Sequence, residues 1–160
     1  MNTNEIAASL TGLMTELLDG PPGKACFVLN PGDAGLLRSL DKLSADAASK
    51  SIHAGATIAA HADHLRFGFS LMNRWMNGEN PWNDADFSAS WRISKVTDAE
   101  WQKMRADLAR EARQWRDAMA TPRDADDTEL NGIIGSVVHL AYHLGAIRQI
   151  DSSTRGPKAP

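Results

Sequence analysis

Cysteine is nearly absent from this chain of 160 residues: Cys26 stands alone, which excludes an intrachain disulfide and points to a reducing compartment. An excess of either charge is missing too. With 17 Lys plus Arg against 20 Asp plus Glu, the net charge of −3 gives no electrostatic case for binding nucleic acid or an anionic membrane. A basic start leading into an apolar stretch is lacking. Glu5, Glu16 and Asp19 fall there instead, so no secretory signal is expected and the cytoplasm is the expected location. Long hydrophobic runs are scarce. The longest stretch free of Asp, Glu, Lys and Arg, Leu130 to Ile147, contains two histidines, Asn131, Ser136 and Tyr142, too polar a set for a membrane span. Strand signals are almost absent as well.

What is present is helical punctuation. The length suits one domain, over residues 1–152, with a disordered tail, SSTRGPKAP, from about residue 153. Asn2 with Glu5 has the form of a capping box for a first helix, which Gly20, Pro21 and Pro22 close. Asn30, Pro31 and Asp33 start a shorter helix through about Leu43, with Leu36, Leu37, Leu40 and Leu43 as its stripe, followed by a loop rich in Ala and Ser. A third helix is predicted from Thr57 to Asn77, stopped by Gly78. Its polar side gathers Asp63, Arg66, Ser70, Asn73, Arg74 and Asn77. His61 and His64 fall with Ile58, Leu65, Phe69, Met72, Trp75 and Met76 on the side facing the core.

Residues 79–96 read as a long irregular connection with Trp82, Phe87 and Trp91, which either lids a pocket or wraps a helix edge or dimer interface. Thr97 with Glu100, and Asp126 with Glu129, are further capping boxes, and Val96 with Trp101 has the spacing of a hydrophobic staple. They open helices to about Ala120 and Ile150. On the last helix, Leu130, Ile133, Val137, Ala141 and Leu144 form one face and His139 and His143 lie nearly opposite. No charge punctuates either side, so this helix is expected to be buried on both.

The five histidines occupy two windows, residues 51–65 and 137–149. His61 and His64 are spaced i, i+3, and His139 and His143 i, i+4, separations that place two imidazoles on one helical face. A single histidine on an apolar face is more often a satisfied core residue than a ligand. Two pairs on separate buried helices leave four imidazoles to satisfy, and that favours a metal. His53 precedes the helix and reads as a loop histidine. Neutral imidazole suits zinc, nickel, copper or iron, and three histidines leave a coordination position open for water or substrate. Such an ion lowers the pKa of bound water or thiol, so the pattern serves hydrolysis or thiol transfer alike. No general base is evident: Asp63 is predicted to face outward, Glu79 and Asp84 are loop residues, and Tyr142 lies about 100° from His143 and about 60° from His139 around the helix.

The window TIAAHADHL in mid-chain, with YHLGAIRQI preceded by a histidine late in the chain, resembles the DinB-like superfamily. The resemblance spans roughly residues 4–150, its specific part being the two histidine windows. It implies an all-α four-helix bundle in down-up-up-down order, often a homodimer, to which the segment from Asn30 to Leu43 and the tryptophan loop are additions. It also implies three histidine ligands, one from the second bundle helix and two from the last. His139 and His143 match the late pair. For the earlier ligand His64 is preferred, because Leu65 follows it as a large aliphatic residue does in the family, with His61 in reserve. The cofactor is then a divalent transition metal, zinc or nickel, and the partner a small-molecule substrate, with a low-molecular-weight thiol among the candidates, since relatives include bacillithiol- and mycothiol-dependent transferases and a maleylpyruvate isomerase-like branch. The alternative is a non-catalytic bundle in which an ion or ligand orders the helices and the surface serves dimerisation.

Overall fold

The computed structural model describes residues 3–158. Among them are six α-helices and no strand: α1 Thr3–Asp19, α2 Gly35–Asp41, α3 Ala45–Ala48, α4 Ile58–Met76, α5 Asp98–Met119 and α6 Asp127–Ile150, with 3-10 turns at Ser90–Arg92 and Ser152–Thr154. The starts of the long helices follow from their caps. Thr57 Oγ1 accepts from the Ala60 N–H, and Thr97 with Glu100 and Asp126 with Glu129 form reciprocal capping boxes. Val96 and Trp101 are both buried beside the second of these. The capping box expected at Asn2 involves a residue outside the described ones.

Local backbone geometry decides the shorter elements. The predicted helix from Asn30 is shorter than expected, because Gly35 has φ of 68° and a right-handed helix cannot run through it. Asn30 to Asp33 form a turn instead, and all four leucines of the stripe are buried. A Cβ on Gly20, whose φ is 89°, would lie 2.1 Å from the Asp33 carbonyl oxygen, so the end of α1 docks on this turn through bare backbone. Buried Glu16 accepts from the N–H groups of Phe27, Val28 and Leu29, stitching the connection onto α1. The stretch rich in Ala and Ser contains α3, capped by Ser44. After Ile150, where composition predicts a loose tail, the chain makes a 3-10 turn and the Pro157 carbonyl accepts from Asn30 Nδ2.

The four long helices close a ring: α1 packs on α5 and α6, and α4 on the same two. Inside lie Met14, Leu17, Leu18, Leu65, Leu108, Trp115, Leu140 and Leu144, all buried. Each such side chain contributes about 1.5–3 kcal/mol. Trp115 Nε1 donates to Ser136 Oγ at 2.8 Å, which satisfies the one polar side-chain atom of this core tryptophan.

Two faces differ from expectation. Asn73, assigned to the polar side of α4, is buried, since α5 covers that side and Glu111 accepts its Nδ2–H groups. α6, expected to be buried all round, is buried on one side alone: Ile134, Val138 and Tyr142 are 40%, 61% and 70% exposed. A ring of four helices has only one interior, and none of the described residues covers the outer side of α6 at Val138 and Tyr142. By length and composition α6 is apolar enough to cross a membrane; here its inner face completes the bundle core.

Candidate metal centre

The α4–α6 contact brings the two histidine windows together. His64, His139 and His143 form a group able to hold a metal ion. Nε2 of His139 lies 3.2 Å from Nε2 of His64 and 2.8 Å from Nε2 of His143. His61 stands behind this group, its Nδ1 2.8 Å from Nδ1 of His143. The i, i+4 spacing puts His139 and His143 on successive turns of α6. On α4, the i, i+3 step rotates His61 away from the point where the Nε2 atoms meet, toward the back of His143. His53 lies in an exposed turn with φ of 51° and joins neither set.

Proton accounting tests whether a cation fits. A neutral imidazole has one N–H and one in-plane lone pair. His139 Nε2 has two other Nε2 atoms within reach, and whichever it carries, proton or lone pair, serves only one of them. A cation between three lone pairs serves all three. Tetrahedral zinc with bonds of about 2.0–2.1 Å holds its nitrogens about 3.3 Å apart, against 3.2 Å for His64 and His139 and 2.8 Å for His139 and His143 here. With Nε2 given to an ion, His143 carries its proton on Nδ1 and donates it to His61. His64 Nδ1 is buried without a hydrogen-bond partner, a cost of about 1–3 kcal/mol that coordination through the same ring offsets.

Electrostatics keeps these rings neutral, the form that ligates. Burial lowers the pKa of His61. It does the same for His64, helped by His61 and opposed by Asp63, and for His139, helped by His64. His143 is pushed down to about 3 by burial first and then by His139, His61 and His64.

Trp91, which sequence reasoning left unplaced, covers the cluster. Its ring lies over His64 at 4.4 Å between centroids, inclined by 31°, and meets His61 edge-on at 5.4 Å. A latch beneath it positions this cover. Ser90 Oγ donates to Asp63 Oδ2 at 2.7 Å, and Arg66 pairs with the other oxygen at 2.7 Å. Asp63 is therefore not the outward-facing residue expected; the loop packs on it. The aromatic content of the loop was the hint in the sequence, and it did not say where the loop lands. Glu79 pairs with Arg74 at the surface and Asp84 is exposed, so neither reaches the histidines as a base. Tyr142 meets His143 edge-on with its centroid 5.0 Å away and is mostly solvent-exposed.

On the His139 side of the cluster an apolar cleft of about 270 Å³ opens between α4, α6 and the aromatic loop. Trp82 and Phe87 form its outer wall, held by edge-to-face contacts with Trp75 and Phe67, each at 5.8 Å. A smaller cavity of about 80 Å³, between Ile6, Leu10, Met119 and Ile133, contains no histidine or carboxylate.

No family model, curated protein or solved structure matches this chain.

Proposed function

We propose that this chain is a metal-dependent enzyme of the DinB-like type, in which His64, His139 and His143 hold a divalent transition ion, zinc or nickel, through Nε2. The observation that carries the proposal is the convergence of three Nε2 atoms from two helices at spacings that protons alone cannot satisfy. When bound, such an ion supplies Lewis acidity that brings a coordinated water or low-molecular-weight thiol toward deprotonation at neutral pH. The chain's own contributions are distinct. His61 takes the Nδ1 proton of His143 and fixes that ring. Trp91 keeps water from one side of the cluster, and the cleft beside His139 admits a small-molecule substrate. The near-neutral charge and single cysteine support a reducing, cytoplasmic setting without nucleic-acid or membrane partners.

A second function class draws on a separate observation. The exposed, uncharged side of α6, with Ile134, Val138 and Tyr142, supports a homodimer, and a non-catalytic bundle that merely assembles through this face is the competing proposal. Elemental analysis of untagged protein beside a His139→Ala, His143→Ala double variant tests the metal. About one equivalent of transition metal in the parent, lost in the variant, is the expected result. A parent that contains none and takes up none from zinc or nickel overturns it.

A further inference from the structure

The cleft beside His139 is chemically one-sided. Leu65, Phe69, Met72, Trp82 and Phe87 wall it, and no Asp, Glu, Lys or Arg lines it. Its two polar side chains differ in what they have left to offer. Ser136 Oγ is committed, accepting from Trp115 Nε1 and donating to the Ile133 carbonyl. His139 turns Nε2 to the other histidines, and its Nδ1 has no hydrogen-bond partner among the described residues. A charged ligand entering here would lose its hydration without gaining a counter-charge.

The glycines of the cleft point to an occupant. Glycine inside a helix is destabilising relative to alanine, and a close approach by a neighbour is one reason to keep it. At Gly132 the reason is packing, because a Cβ there would lie 2.8 Å from the Trp75 ring. At Gly135 a Cβ would meet nothing within 4 Å, and at Gly68 it would make only an ordinary contact, 3.9 Å from Cε1 of His139. Neighbouring protein atoms do not demand these two glycines. Both line the cleft, Gly68 next to the His139 ring and Gly135 at its exposed rim. On the opposite wall Trp82 and Phe87 are 41% and 48% exposed, apolar surface that a bound ring would cover.

We propose that this cleft binds the ring of a small, uncharged aromatic substrate, which packs between the loop aromatics and the glycine-bearing helices and turns one oxygen, nitrogen or sulfur atom toward the His139 end. The proposal rests on the metal reading above for what that atom meets, and on the cleft alone for the ring. The volume of about 270 Å³ suits one ring with a short substituent rather than a peptide-like thiol bearing several carboxylates.

The test compares benzohydroxamic acid with acetohydroxamic acid, which share a metal-binding head and differ by the ring. Glutathione serves as the charged thiol. Calorimetric titration of zinc-loaded protein is expected to show the aromatic hydroxamate binding about tenfold tighter or more, and glutathione binding more weakly than it. In metal-free protein both hydroxamates weaken and the ring preference persists. Gly135→Leu, which places a side chain into open space, is expected to keep its zinc and helical circular dichroism while losing the preference; Phe87→Ala reduces it from the other wall. Equal affinities for the two hydroxamates, glutathione binding tightest, or a ring preference untouched in Gly135→Leu overturns the proposal. Protein that takes up no zinc overturns the metal reading alone. The metal-free titration then decides the cleft, and absence of ring preference there overturns it.

Discussion

His143 is held at both ends of its ring: Nδ1 lies 2.8 Å from Nδ1 of His61, and Nε2 lies 2.8 Å from Nε2 of His139. One histidine of α4 thus stands behind a histidine of α6 instead of beside it. Partners in this position orient a ligand and set its tautomer. His61→Ala is expected to retain one equivalent of zinc at saturation and to weaken affinity by about 10–100-fold. Competition against a chelating dye measures this. A loss as complete as in His139→Ala would make His61 a direct ligand.

Acid should destabilise the metal-free protein well above the carboxylate range. Burial lowers the pKa values of His61, His64, His139 and His143, and repulsion from neighbouring histidines adds to it at the last three, taking His143 to about 3. The unfolded chain takes up these protons near pH 6.5 and the folded chain does not. Stability is therefore full above about pH 6.5 and declines as pH falls below it, the His143 contribution being lost progressively down to about pH 3. Thermal melts of chelator-treated protein between pH 8 and pH 5 check the sign. A melting temperature constant across that interval contradicts it.

Two glycine-to-alanine substitutions should act in opposite directions. Gly20 has φ of 89° and its Cβ would strike the Asp33 carbonyl at 2.1 Å, so Gly20→Ala is expected to cost about 2 kcal/mol or more. Gly145 lies within α6 with nothing within 4 Å of a Cβ, so Gly145→Ala is expected to stabilise by about 0.5–1 kcal/mol. Urea denaturation compares them. A Gly20→Ala variant as stable as the parent would contradict the docking of α1 on the turn before α2.

The outer face of α6 bears on assembly. If a second copy covers Val138, 61% exposed, and Tyr142, 70% exposed, then Val138→Lys introduces a charge into an apolar contact. Light scattering after size exclusion is expected to find a dimer for the parent and a monomer for the variant, with unchanged helical content. A monomeric parent removes the dimer from the proposal.

The sequence by itself determined where α4, α5 and α6 begin, because capping is local: Thr57, Thr97 with Glu100 and Asp126 with Glu129 satisfy N–H groups three residues away, whatever lies around them. It also determined that the histidines come in two face-sharing pairs. Helical spacing did not choose between His61 and His64, which sit about 60° apart around α4 and both face α6; the preference for His64 came from the family resemblance alone. Only the rotation and offset of α4 against α6 bring Nε2 of His64, and not His61, to His139. The same holds for Asp63 and Asn73, polar residues drawn inward by Ser90 and Glu111 from distant segments, and for the open side of α6. Those outcomes depend on which helix covers which face. Periodicity marks an apolar face without saying how many neighbours are available to bury it.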